Sequence, residues 1–208
     1  DKAVKPTNIM GATKRISEKI FSSLASKQSK MNISIVRFGN VINSNGSVVP
    51  LFNKQIKNNG PVTVTHPDVT RYLMTIPDAV KLILETSVIS KEYKSGLTYL
   101  LDMGKPIKIL DLAKKMINLH GLSSYLENED VKGDIKIKIV GLKKGEKLHE
   151  QLFHDIKPKK TRHPKIFKID DIEIHGNDFK KLITQIKNCC KNNDIEKIRS
   201  LLSKHALQ

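Results

Sequence analysis

The 208-residue sequence predicts an α/β chain. Apolar patterns of helical period alternate with short β-branched runs, the order expected of helices packed on a sheet. Glycine and proline stand at the joins between these patterns. Two amphipathic helical patterns then close the chain.

The first helix follows Pro6, which fixes its own φ and pushes Lys5 out of the helical region. Thr7 or Asn8 can cap it. Ile9, Ile16, Ile20 and Leu24 recur at helical spacing as its expected buried stripe. Met10 and Lys14 stand four apart, on one face of its first turns. Together with the acid Asp1 and the base Lys2, they can converge on one cleft.

Residues 32–38, Asn-Ile-Ser-Ile-Val-Arg-Phe, read as a buried strand. The loop 39–50 is rich in glycine, asparagine and serine, so its backbone can approach a ligand closely or simply turn. A helix is expected over 51–57 with Leu51, Phe52 and Ile56 inward, broken by Gly60-Pro61. Residues 62–65 alternate as an edge strand would. Pro77-Asp78 opens a helix whose Ala79, Val80, Leu82, Ile83 and Val88 make a wide apolar face. A strand over 96–102 ends at Gly104-Lys-Pro106. A helix carrying Ile109 to Ile117 is terminated by Gly121. Residues 135–141 alternate isoleucine with lysine, a half-exposed strand whose lysines form a solvated face. Phe179, Leu182, Ile183 and Ile186, then Ile195, Ile198, Leu201 and Leu202, mark the two closing helices.

The length suits one domain or one and a half. A formal net charge of +16 invites a nucleic-acid reading. The charge, however, is nearly all scattered lysine, with arginine only at 15, 37, 71, 162 and 199. Arginine is the better bidentate reader of phosphate and guanine, and few aromatic residues are present for stacking. No nucleic-acid partner is expected. Cys189 and Cys190 are adjacent and lack metal-ligand spacing, which fits a reducing cytoplasm. No metal site is expected. No apolar run is long enough to span a bilayer, so a membrane anchor is expected only in a segment upstream of Asp1.

The opening stretch, Asp-Lys-Ala-Val-Lys-Pro-Thr-Asn-Ile-Met-Gly-Ala-Thr-Lys-Arg, resembles the signature of the nucleotide-sugar 4,6-dehydratases of the capsular-polysaccharide group. These are extended short-chain dehydrogenase/reductases. Their wider superfamily carries Tyr-x-x-x-Lys on this helix; here Met10 holds the tyrosine position and Lys14 the lysine position. Methionine there resembles the retaining UDP-N-acetylglucosamine 4,6-dehydratases. Four further stretches resemble the family in family order: Arg37-Phe-Gly-Asn-Val41, His66 to Ile76, Lys143 to Glu150, and Thr161 to Ile166.

The resemblance implies the C-terminal part of a Rossmann-type doubly wound sheet, a smaller α/β substrate lobe and C-terminal helices. The expected division is 1–40 for the end of the nucleotide domain, 41–175 for the sugar-nucleotide lobe with returning sheet elements near 77–120, and 176–208 for the tail. No Gly-x-Gly-x-x-Gly follows a strand here. The units that hold the cofactor's adenosine and pyrophosphate are therefore expected before Asp1, with a serine or threonine immediately preceding it. Residues 1–208 alone are expected to bind neither NAD nor NADP measurably. They are also expected to expose the edge of the strand near Ile33–Phe38 and the stripe of the first helix.

The resemblance also implies site roles. Asp1 is the acid and Lys2 the base of an elimination, and Lys14 holds the ribose of bound NAD or NADP. Met10 cannot exchange a proton. Val41 and Ile42 line the nicotinamide side, while Asn40 and Val48 meet the UDP-sugar. Arg71 is a diphosphate ligand, with a structural ion pair as its plain alternative. Lys143, where the family has arginine, reaches the phosphates, and Glu146 the ribose hydroxyls. The strand at 62–65 runs beside the uracil. His66 reads as structural. Asn43 stands where the family has glycine. The implied reaction is NAD(P)-dependent 4,6-dehydration of a UDP-sugar by a homo-oligomeric, full-length enzyme. A non-catalytic UDP-sugar-binding remnant and a 4-epimerase are the alternatives.

Overall fold

The computed structural model describes residues 1–28, 30–127, 132–153, 156–169 and 176–206, without the side chains of 176–179. In chain order the elements are α1 (Ile9–Ala25), β1 (Ile35–Arg37), β2 (Asn40–Val41), α2 (Val48–Lys57), β3 (Val62–Val64), β4 (Thr70–Arg71), β5 (Leu73–Met74) and α3 (Ile76–Ile89). They continue with β6 (Thr98–Leu101), β7 (Ile107–Lys108), α4 (Ile109–Leu119), β8 (Ser124–Leu126), β9 (Ile135–Ile139), β10 (Lys159–Lys160), β11 (Ile166–Ile169), α5 (Gly176–Lys191) and α6 (Ile195–Ala206). The chain divides into two compact units. The first is Asp1–Phe38, Val80–Asp102 and Gln151–Gln208; the second is Gly39–Ala79 and Met103–Glu150.

In the first unit the sheet order is β1-β6-β11-β10. β1 runs parallel to β6, and β11 is antiparallel to both β6 and β10. Every residue of β6 is buried, as in a strand covered on both faces. β1 is the outer strand of this sheet among the described residues.

Asn8 caps α1: its Oδ1 accepts the Gly11 N–H at 2.8 Å. The expected stripe of α1 is corrected. Ile16 is buried, but Ile9 and Leu24 are exposed, while Ala12, Glu18, Ser23 and Ala25 are buried. Two contacts decide this. Ala12 and Ile16 pack with Leu202 and Ala206 of α6, a neighbour far along the chain. Glu18 is drawn inward by Arg37 of β1, at 2.6 Å. α6 begins at an Asp194 cap whose Oδ1 accepts the Lys197 N–H. Phe179 belongs to the expected α5 pattern, but its side chain lies outside the described residues.

α3 is corrected in the same way. Ala79 and Leu82 are buried, whereas Val80, Ile83 and Val88 are exposed. The helix is apolar on two faces, and only one is used inside the unit.

The second unit carries the parallel sheet β3-β9-β8, with α2 and α4 packed on it. Its core includes Phe52, Ile56, Val62, Val64, Ile117 and Ile137. The isoleucine–lysine alternation of β9 holds at Ile135 and Ile137, which are buried while Lys136 and Lys138 are not; Ile139, at the strand's end, is exposed. α2 starts at Val48, three residues before the expected Leu51. Pro50 is accommodated because first-turn N–H groups need no helical acceptor. Gly121 ends α4 at φ +75°. Its N–H donates to Asn118 O, and the Leu122 N–H to Ile117 O, which satisfies the last carbonyls. β3 is the outer strand of its sheet, as expected of residues 62–65.

Candidate functional site

The first unit holds a cleft of about 420 Å³. Asp1, Lys2 and Lys14 line it together with Ser17, Glu18 and Phe21 of α1, and residues 34–38 form another wall. Three of the four residues expected to converge therefore do so. Met10 is the correction: it sits at the N-terminal turn of α1, 53% exposed, outside the cleft lining.

The position of Asp1 and Lys2 follows from Gly11. A Cβ at Gly11 would stand 2.5 Å from the Lys2 carbonyl oxygen and 2.8 Å from Pro6 Cβ. Only a residue without a side chain lets residues 2–6 lie this close to the helix. The Asp1 backbone nitrogen also donates to Phe38 O at 3.2 Å. These contacts seat the Asp1 carboxylate in a buried position, with Lys2 Nζ donating to its Oδ2 at 3.0 Å. Lys14 makes no hydrogen bond or ion pair among the described residues.

Beside them lies a pair not expected from the sequence. Arg37 donates through Nε to Glu18 Oε1 at 2.6 Å and through Nη2 to Glu18 Oε2 at 2.8 Å. Arg15 adds a third bond to Oε2 at 3.1 Å. Arg37 is 2% exposed. The signal was present: an arginine inside a β-branched strand needs a buried counter-charge, and the first helix was the nearest source.

The second unit gathers another polar group. Glu146 accepts from Thr65 Oγ1 at 2.9 Å, from Arg71 Nη2 at 3.1 Å and from the Lys143 N–H at 3.1 Å. Arg71 Nη1 also donates to the carbonyls of Thr70 and Leu148. The two expected ligands, Arg71 and Glu146, thus meet each other. The Arg71 Nε–H and one Nη2–H remain unused among the described residues. The Lys143–Glu146 turn closes through Glu146 N–H to Lys143 O, with Gly145 at φ +77° in its third position. The Lys143 side chain is exposed.

Asn40 lies in β2, paired in register with Leu73 of β5. Its N–H donates to Tyr72 O, and its buried Oδ1 has no partner among the described residues. Val41 and Ile42 follow, half-buried, with the Ile42 N–H on Met74 O. Asn43 takes the left-handed conformation at φ +60°. Asparagine tolerates this region better than most residues, so the glycine-like backbone shape is kept. Val48 begins α2 and packs against the unit core. The free edge of β3 is not open at its centre, because the Gln55 side chain accepts the Thr63 N–H and donates to Thr63 Oγ1. His66 Nδ1 accepts the Asp68 N–H, a turn contact that suits a structural role.

Residues 1–171 match the sequence profile of a family described as polysaccharide biosynthesis protein. The chain belongs to that family. It is 51% identical over 154 residues to the capsular polysaccharide biosynthesis protein CapD of Staphylococcus aureus, covering 74% of the chain and 24% of CapD. It is 35% identical over 155 residues to a UDP-glucose 4-epimerase of Rickettsia canadensis, covering 73% of the chain and 41% of the epimerase. Among solved structures it is similar to Pen from Bacillus thuringiensis: TM-score 0.67, 34% identity, 84% of this chain and 52% of Pen. The chain thus spans a quarter to about half the length of these relatives. Its fold is the α/β, Rossmann-type arrangement expected for the family. No helix among the described residues is long and apolar enough to cross a membrane.

Proposed function

We propose that this chain supplies the acid–base residues and the sugar-nucleotide lobe of an NAD(P)-dependent 4,6-dehydratase acting on a UDP-sugar, with retaining action on UDP-N-acetylglucosamine favoured by Met10. One observation carries the reading: a buried Asp1 carboxylate bonded to Lys2 Nζ at 3.0 Å in the cleft that Lys14 also lines.

Elimination of water across C5–C6 of a 4-keto sugar needs a base for the C5 proton and an acid for the departing hydroxyl. Asp1 and Lys2 supply both. Moving one proton along their hydrogen bond, from Nζ to Oδ2, converts the ion pair into a protonated Asp1 and a neutral Lys2. Asp1 then gives its proton to the C6 hydroxyl, which leaves as water, while Lys2 takes the C5 proton. The pair returns to its ionised form, Lys2 then returns its proton to C5, and the proton taken from the C4 hydroxyl replaces the one the pair has given to the departing water.

Hydride removal at C4 and hydride return at C6, with no net redox, is the chemistry a bound nicotinamide cofactor would supply. The unpartnered Lys14 ammonium suits the ribose hydroxyls of such a group. Its pyrophosphate has no glycine-rich cradle in these residues. Met10 cannot take the C4 hydroxyl proton, which leaves Lys14, a water or a residue before Asp1 for that step. In the second unit the unpartnered Asn40 Oδ1 suits a sugar hydroxyl, and the unused Arg71 donors suit a diphosphate oxygen.

The test is product analysis with UDP-N-acetylglucosamine on full-length protein. Asp1→Asn and Lys2→Ala should each abolish C6 dehydration and leave bound cofactor in place. Near-normal turnover by either variant overturns the acid–base assignment. A product epimerised at C4 with its C6 hydroxyl intact overturns the dehydratase in favour of an epimerase.

A further inference from the structure

We propose that α6 is a brace that sets the position of the cleft wall formed by α1, with Leu202 and Ala206 as positioning residues for Asp1, Lys2 and Lys14. The structural relation stands on its own; its kinetic consequence rests on the acid–base reading above. α1 is engaged on two opposite sides. Lys14, Ser17, Glu18 and Phe21 line the cleft. Ala12 and Ile16, with Ile20 one turn further on, pack on α6. At about 100° per residue the second set points away from the first. Whatever fixes the back of α1 therefore also fixes its cleft face.

α6 meets that back with Leu202 and Ala206, and with Ile198 one turn earlier. Ala12 and Ala206 are both buried, and side chains this small at the contact let two helices approach closely. Lys19 of α1 adds a latch: its Nζ donates to the His205 carbonyl at 2.6 Å. That carbonyl lies in the last turn of α6, where helical donors run out and a cation suits the dipole. The apolar contact sets the spacing of the two helices, and the latch sets their register. Ala12 adjoins Gly11, against which the Lys2 carbonyl and Pro6 are seated. The same segment is closed by the Val4 N–H, which donates to Asp1 O at 3.1 Å. A shift of α1 at Ala12 therefore moves the seat of Asp1 and Lys2, and Lys14 with it. α6 follows residue 171, where the family match ends, so the brace is an addition to the matched part of the chain.

Two variants of the full-length protein test the brace, at a temperature where circular dichroism shows each to be folded. Leu202→Ala opens a gap behind α1, and Ala206→Leu drives a wedge into the same contact. Each should lower kcat for C6 dehydration of UDP-N-acetylglucosamine about tenfold or more, since small misplacements of reacting groups slow a reaction steeply. KM and bound cofactor should be unchanged, because Asn40 and Arg71 belong to the second unit. Each variant should also speed amide exchange at Val4, a readout that needs no turnover and that a contact stabilising α6 alone would not move. Unchanged exchange at Val4, or unchanged kcat in an active protein, overturns the brace even where thermal stability falls. A wild type that does not dehydrate the sugar overturns the reaction reading instead, and exchange at Val4 then decides the brace by itself.

Discussion

Glu18 of α1 and Arg37 of β1 are locked together by two hydrogen bonds of 2.6 and 2.8 Å, on residues almost wholly withdrawn from water. Arg15 completes a charge triad on the same carboxylate. Removing one member of a buried pair leaves the other charged and desolvated, which costs about 3–5 kcal/mol. Glu18→Ala should therefore destabilise the protein by that order in chemical denaturation. Arg37→Ala should do the same, and the two losses should be far from additive in a double-mutant cycle. Additive losses would show that the pair does not act as one unit.

Gly11 sets the approach of the Asp1–Lys2 segment to α1. Alanine is the better helix former, so an unconstrained site would gain stability from Gly11→Ala. Here the new methyl would meet the Lys2 carbonyl at 2.5 Å, and the backbone of residues 2–6 would have to shift. The expected result is a loss of about 1–3 kcal/mol, with a larger fall in kcat than in substrate affinity, because the displaced groups are the proposed acid and base. A stabilised, fully active Gly11→Ala protein would refute this placement.

Tyr99 is fully buried in β6, and its hydroxyl has no partner among the described residues. Burial, with smaller contributions from Tyr93 and Glu92, pushes its pKa from 10.0 to about 12. Between those values the folded state keeps a proton that the unfolded state has released. Stability should thus be intact below pH 10 and fall as pH rises towards 12, by an order of 2 kcal/mol. Near-ultraviolet titration should show a last tyrosinate step near pH 12 that is absent in Tyr99→Phe. That variant should be as stable as the wild type at neutral pH, since it removes an unpaired hydroxyl.

Glu146 ties Thr65, Arg71 and the Lys143 turn together. Glu146→Ala should loosen residues 143–148, seen as faster amide exchange at Lys143. It should also free Arg71, whose fork then carries an unneutralised charge. Lys143→Arg should tighten UDP-sugar binding several-fold in calorimetry, because a planar fork bridges two phosphate oxygens where an ammonium touches one. A clear loss of affinity would mean that this turn does not face the diphosphate.

The sequence by itself determined the longer helices and strands, though not two-residue strands such as β2, β4 and β7. The isoleucine–lysine alternation, a cap at Thr7 or Asn8 and the Gly121 terminator are local consequences of side-chain period and backbone preference, and each was legible within a few residues; that Asn8 makes the cap was settled by its bond to the Gly11 N–H. The five separated family-like stretches were legible for the same reason, as contiguous strings. The tertiary structure alone decided which face of an apolar helix lies inside. α1 turns Ala12 and Ile16 inward because α6 packs there, and α3 is apolar on two sides, so its periodicity could not choose between them. It alone also decided the charge pairs. Glu18 and Arg37 are 19 residues apart, and Arg71 and Glu146 are 75 apart. A local pattern shows that a buried arginine needs a carboxylate; which one it receives depends on how loops close and which strands come into register.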